Sequence, residues 1–155
     1  MQPKVDTYSA DSCTVLRYLV DPERDLTVPV GVILSNQEEG RVWFRLPHAG
    51  EEIAGVSLVA ALPYLEMARA QIEAWLRAGT LPYTSEPLPP LSGAWWEQVR
   101  RLMQWRVRLD LTRPVDCRSA EAELEQIYRA LVSPPPAASE ALDRIEPAAA
   151  AVVAD

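Results

Sequence analysis

The chain has 155 residues, of which 48% are hydrophobic and 24% charged, and its formal net charge is −7. This composition is that of an ordinary folded protein, and it excludes wholesale disorder, collagen-like repeats and a disulfide scaffold. The acidic surplus disfavours binding to nucleic acid or to anionic membranes unless basic residues gather on one face.

Three β-strands are predicted in the first third of the chain. Residues 14–20 form a β-prone run, and residues 28–34 form a second one. In this second run Pro29 favours a strand start or an edge, and Gly31 favours a bulge or a close backbone approach. Residues 41–46 alternate between polar and apolar, as in a half-exposed strand. The short turns between the runs favour an antiparallel meander.

Two helices are predicted next. A proline at the first helical position and Gly79 after the last one predict a helix over residues 63–78. Residues 80–91 carry four prolines and are expected to be an extended, stiff connection. Ser92 is placed to cap a second helix over residues 93–104.

The remaining elements are a fourth strand and a third helix. Residues 106–111 alternate strictly between polar and apolar, which is typical of a strand, and an acidic amphipathic helix follows over residues 119–132. The sequence therefore predicts an α+β fold, in which a small, mostly antiparallel sheet of about four strands has about three helices packed on one face. The expected organisation is a flexible N-terminus (1–12), a single α+β domain (13–132) and a flexible Pro/Ala-rich tail (133–155).

The N-terminus, the lengths of the apolar segments and the cysteines together favour the cytoplasm. The N-terminus lacks a secretory signal, and no segment approaches the roughly 18 apolar residues of a membrane-spanning helix. We therefore expect a cytoplasmic protein without membrane contact. Cys13 and Cys117 belong to no metal-binding motif, so reduced buried thiols are favoured, with a disulfide or a reactive pair as the alternative.

Signals for catalysis are weak. Asp21, Glu23 and Asp25 alternate in the first turn and have the oxygen ligands that a hard cation prefers. The glycine and the distal glutamate of a calcium-binding loop are missing at the required spacing, so an ordinary solvated turn is favoured. His48 is the only histidine, and without a neighbouring acid or nucleophile we expect it to face solvent in a loop. No nucleotide-binding or hydrolase motif occurs, so no catalytic residue, metal or cofactor is expected.

The least ordinary feature is a segment in which arginines and tryptophans are interleaved, here called the Trp/Arg segment (residues 95–108). Its predicted partner-binding residues are Trp96, Arg100, Arg101, Trp105, Arg106 and Arg108. Trp and Arg are enriched among the residues that dominate protein interfaces, and together they also stack bases and hold phosphates. The plainer interpretation is that Trp95 lies in the core, that Trp96 and Trp105 are partly covered, and that the arginines face solvent.

Several stretches resemble a bacterial family of unknown function. Residues 15–18, 21–24 and 30–34 are similar to its opening, which has an LR-type strand, an acidic turn with proline, and a VNVGVVL-like strand. The step at residues 113–115 and the acidic helix over residues 120–132 resemble the family's closing segment. The resemblance covers about residues 13–132.

One departure from the family and one implication follow from this resemblance. Pro29 stands where the family usually has asparagine, so a role of that polar residue does not carry over. The family has no established activity and therefore supplies no catalytic residues. Its members are often encoded beside HipA-like kinases, which implies an accessory or regulatory partnership.

These observations together predict a non-enzymatic accessory or regulatory protein that binds another protein. The resemblance implies a kinase-like toxin or regulator from a neighbouring gene as the partner, and a homo-oligomer stays open. The second-choice surface consists of Arg17, Asp21, Glu23, Arg24 and Asp25. One alternative is a single-stranded nucleic-acid-binding or nucleic-acid-processing protein that uses the Trp/Arg segment. Another is a metal-dependent hydrolase that uses the acidic turn.

Overall fold

The structure is a computed structural model, and it describes residues 8–48, 50–53 and 56–132. Within these ranges the chain forms seven strands and three helices. In chain order they are β1 (Ala10–Asp21), β2 (Leu26–Asn36), β3 (Arg41–Arg45), β4 (Glu52–Ile53), β5 (Val56–Ser57), α1 (Leu62–Ala78), α2 (Gly93–Leu102), β6 (Val107–Leu109), β7 (Arg113–Cys117) and α3 (Ala120–Leu131). The predicted α+β class with a mostly antiparallel sheet is confirmed. Within these ranges no helix combines the length and the hydropathy needed to cross a membrane.

The main sheet is built around the long strand β1. Its order is β3-β2-β1-β6, and β7 also pairs with β1, so that β6 and β7 share one edge of this strand. All of these pairings are antiparallel, and Leu16 of β1 lies opposite Gly31 on one side and Leu109 on the other. β1 begins at Ala10, so the expectation of a flexible N-terminus is wrong for residues 10–12, which pair with β7.

Gly31 has the structural role that its place in the sequence indicates. The register of β1 and β2 shifts between Leu16 and Arg17, which is a bulge next to Gly31. A Cβ atom at position 31 would lie 3.1 Å from Leu16 Cδ1 and 3.2 Å from the carbonyl oxygen of Arg45. Both the predicted bulge and the predicted close backbone approach are therefore present, and the missing side chain leaves room for Leu16 of β1 on one side of β2 and for the Arg45 backbone of β3 on the other.

The helices cover both faces of the sheet. Phe44 and Arg45 are consecutive residues of β3 and so point to opposite faces. Phe44 contacts Arg69 of α1, at 5.3 Å from the guanidinium carbon to the ring centroid, whereas Arg45 stacks on Tyr128 of α3 at 3.8 Å. The expectation that the helices pack on one face is therefore wrong. Residues 30–36 of β2 are all buried, which occurs only when both faces of a strand are covered.

Local signals placed the helix ends well. The Ser92 hydroxyl accepts a hydrogen bond from the Trp95 N–H at 3.2 Å, and Gly79 ends α1 with a φ of 78°. The strand β7 was not predicted, since Pro114 interrupts its pattern, yet a proline is tolerated in such an edge strand. The predicted tail over residues 133–155 lies outside the described residues.

Candidate functional site

The turn between α2 and β6 holds Trp105 out into solvent. Gln104 and Arg108 form an isolated antiparallel bridge, and the Arg108 Nε donates to the carbonyl oxygen of Trp105 at 3.3 Å. The N–H of Leu19 donates to the carbonyl oxygen of Arg106 at 2.8 Å, which ties the turn to the sheet. The backbone of the turn is thus fixed while the Trp105 side chain remains 69% exposed.

Trp105 forms one wall of a mainly apolar groove between this turn and α1, here called the Trp105 groove. Its principal lining residues are Tyr64, Met67, Trp75, Met103, Trp105 and Arg106. Met67 is 65% exposed, so two large apolar side chains meet solvent at the same groove. The groove has a volume of about 260 Å³. This lies below the roughly 300–1,000 Å³ that is typical of small-molecule sites and suits one or two side chains of a larger partner.

An aromatic series holds Arg106 at the edge of the groove. Trp105 meets Tyr64 edge-on with ring centroids 5.8 Å apart, and Tyr64 lies 6.3 Å from Tyr18. The guanidinium carbon of Arg106 lies 5.2 Å from the Tyr18 ring and 5.6 Å from the Tyr64 ring, within the range of a cation–π contact. Its Nη2 donates to the Tyr18 hydroxyl at 2.8 Å. The position of the guanidinium is therefore set by the protein before any partner arrives.

The other arginines of the Trp/Arg segment are paired with carboxylates of the same chain. Arg100 lies 2.6 Å and Arg101 3.3 Å from Glu97, and Arg108 lies 2.7 Å from Asp25. The hydrogen bond from Arg100 lowers the pKa of Glu97 from its ordinary value, so this carboxylate stays charged. Among the described residues, Arg106 is the one arginine of the segment without an acidic partner.

The expected place of Trp96 on the partner-binding surface is wrong. Trp96 is 1% exposed and meets Trp95 edge-on in the core, with ring centroids 5.0 Å apart. The apolar stripe of α2 is therefore wide enough to bury two consecutive tryptophans, which the spacing alone does not reveal. Of the predicted surface, only Trp105 and Arg106 line the Trp105 groove.

The second-choice surface is occupied by local contacts. Arg17 Nε donates to the Thr27 hydroxyl at 2.9 Å and its Nη1 lies 3.5 Å from Asp110. The Asp21 carboxylate accepts from the backbone N–H groups of Glu23 and Arg24, at 3.1 and 3.4 Å, as in an ordinary turn. Nowhere in the described ranges do three or more potential metal-ligating side chains gather. The hydrolase hypothesis therefore has no ligand cluster to rest on there.

A second cluster, centred on Arg45, was not foreseen from the sequence. The Arg45 side chain is 11% exposed, stacks on Tyr128, and lies 2.6 Å from Glu125 and 3.5 Å from Glu51. The hydrogen bond from Arg45 is the main reason why the pKa of Glu125 falls to about 2. Burial is the main reason why the pKa of Tyr128 rises to about 12.

The Arg45 cluster borders a cleft of about 800 Å³, on which His48 and Arg129 also lie. His48 is exposed there, as expected. The cleft is large enough for a small molecule, but its arginines already pair with the glutamates beside them. A ligand would have to displace these partners. The cluster is therefore best explained as a set of ion pairs that hold β3, the loop after it and α3 together.

The two cysteines are both free and buried. Burial raises the pKa of the Cys13 and Cys117 thiols, so little of either is thiolate at neutral pH. Because the thiolate is the reactive form, burial makes both thiols less reactive than an exposed cysteine.

Comparisons with known proteins give no information on function. No protein-family model, no curated protein and no solved structure matches the chain. The resemblance to the bacterial family stays a prediction. The geometry and chemistry of the Trp105 groove are therefore the observations that bear on function.

Proposed function

We propose that the chain is a non-enzymatic protein-binding module that holds a partner protein in the Trp105 groove. The observation that carries this proposal is the 69% exposure of Trp105 at the wall of an apolar groove. Exposed apolar patches on a folded domain commonly mark interaction sites, and Trp, Met and Arg are enriched in protein interfaces. A rigid turn supports the side chain, so little conformational entropy is lost when a partner covers it.

An accessory or regulatory role is the form of this function that we favour. The resemblance to a family encoded beside HipA-like kinases implies a kinase-like toxin or regulator as the partner. A binding module needs no catalytic group, and the titratable clusters described above are all engaged in contacts within the chain. The proposal thus assigns the groove a role in recognition and assigns the rest of the fold the role of a scaffold.

The nucleic-acid alternative has weaker support. Phosphate binding depends on free cationic side chains, and three of the four arginines in the Trp/Arg segment already lie beside carboxylates. The net charge of −7 also opposes the approach of a polyanion. A single groove of apolar walls with one unpaired guanidinium fits a protein segment better than a sugar-phosphate chain.

Co-expression with the product of the neighbouring gene tests the proposal. We expect the tagged chain to retain this product, and Trp105→Ala to weaken the complex at least about tenfold, since interface tryptophans are often hot spots. Tyr83→Ala is the matched control, because Tyr83 is a 92% exposed aromatic residue outside the groove. Equal retention by both variants would exclude the Trp105 groove as the binding surface.

A further inference from the structure

The guanidinium of Arg106 is incompletely satisfied. Its Nε is buried and has no hydrogen-bond partner, and its only hydrogen bond within the described part of the chain runs from Nη2 to the Tyr18 hydroxyl. The buried Nε is out of reach of an incoming group, and Nη2 is engaged by Tyr18. Since Arg106 lines the groove and Nη1 makes no hydrogen bond within the described part of the chain, Nη1 is the donor left for a carboxylate at the edge of the groove.

The apolar walls of the groove indicate that the carboxylate comes with an apolar side chain. Met67, Trp75, Met103 and Trp105 give the groove an apolar lining, and its volume of about 260 Å³ accommodates one or two side chains. A ligand that fills the groove thus brings an apolar side chain, and the acceptor for Arg106 must stand close to it. A planar guanidinium that contacts two tyrosine rings and donates to the Tyr18 hydroxyl is pre-oriented for such a carboxylate.

We propose that the Trp105 groove recognises a segment of another protein in which an apolar side chain stands next to a carboxylate, with Arg106 as the residue that selects the carboxylate. This inference rests on the proposed function and specifies its partner. A second copy of the chain is the competing occupant. Local charge complementarity favours an acidic segment, because Arg106 is the arginine of the Trp/Arg segment that has no carboxylate partner among the described residues. A short segment also brings less negative charge against the chain's net charge of −7 than a second whole copy would.

A displayed library of random peptides supplies the probe for a test. The full chain is the bait, and peptides that also bind Trp105→Ala are removed. We expect the enriched peptides to pair an apolar residue with a nearby Asp or Glu. Amidation of that residue, as Asp→Asn or Glu→Gln, should weaken binding to the wild-type chain about tenfold or more, because hydrogen bonds between charged groups are the strong ones.

Variants of Arg106 separate charge selection from simple packing. With Arg106→Met, which keeps the apolar stem, the acidic and the amidated peptide should bind within about twofold of each other, which is the signature of a coupled pair. Arg101→Met is the matched control and should preserve the wild-type difference, because Arg101 lies outside the groove lining. Arg106→Lys keeps the positive charge and should therefore retain part of the discrimination, whereas the neutral Arg106→Gln should lose it and serves if Arg106→Met fails to fold.

The possible failures are distinguishable. If Trp105-dependent peptides lack acidic residues and bind Arg106→Met as well as the wild type, the selection of a carboxylate is wrong while the proposed function stands. If no peptide depends on Trp105, the proposed function is wrong and this inference fails with it. If the wild-type chain forms a dimer that Trp105→Ala dissociates, the occupant is a second copy and the inference of a different protein is wrong.

Discussion

Trp96→Ala is expected to destabilise the fold by about 4 kcal/mol, whereas Trp105→Ala should change the free energy of unfolding by less than about 1 kcal/mol. The two tryptophans lie only nine positions apart along the chain, but Trp96 is 1% exposed and Trp105 is 69% exposed. Removing the first leaves a large cavity beside Trp95, while removing the second exposes no core.

Urea unfolding of the two variants, followed by circular dichroism, measures this contrast. Trp96→Phe is a milder companion that keeps a buried ring and should lose less stability than Trp96→Ala. Equal losses for Trp96→Ala and Trp105→Ala would contradict the assignment of one tryptophan to the core and the other to the binding surface.

Arg45→Met is expected to destabilise the fold by about 2–3 kcal/mol at neutral pH, because it leaves partly buried carboxylates without their principal cation. The substitution removes the ion pair at 2.6 Å with Glu125 and the stacking on Tyr128, which are contacts between β3 and α3. The control is Arg129→Met, which removes the other ion pair of Glu125. Since the Arg129 side chain is 72% exposed, we expect its loss to cost less than about 0.5 kcal/mol.

The destabilisation by Arg45→Met should depend on pH. The pKa of Glu125 is about 2 in the folded chain, against an ordinary value of 4.5. A carboxyl with a lowered pKa stabilises the fold fully above its unfolded pKa, and this contribution is lost as the pH falls through the folded value. The difference between wild type and Arg45→Met should thus be constant at neutral pH and shrink between about pH 4.5 and pH 2. A difference that grows in acid would contradict the proposed role of the pair.

The order and the type of most elements could be predicted because their signals are local. The cap at Ser92, the end of α1 at Gly79 and the bulge near Gly31 each depend on one residue and its immediate neighbours. Packing on both faces of the sheet was not predicted, although the continuous apolar run over residues 30–34 is the sequence pattern typical of a strand covered on both faces. The edge strand β7 was missed because Pro114 argues locally against a strand, and only the tertiary position beside β1 makes it acceptable.

The candidate site was predicted in part. The sequence drew attention to the Trp/Arg segment, but exposure is set by tertiary packing, so the periodicity did not show that Trp105 and not Trp96 reaches solvent. Nor did it show that the other three arginines lie beside carboxylates, Arg100 and Arg101 beside Glu97 and Arg108 beside Asp25. The Arg45 cluster joins residues 80 positions apart, and no local pattern predicts such a contact.

In the function proposed above, the Trp105 groove is the surface that contacts a partner protein. Its most direct test is photo-crosslinking in cells, with benzoylphenylalanine placed at Met67 on the groove or at Tyr83 outside it. We expect the Met67 position to give a discrete product with one other protein, joined at a peptide that contains an acidic and an apolar residue. This product should disappear when Trp105→Ala is added. Identical products from both positions, or a product from the Met67 position that survives Trp105→Ala, would contradict the account.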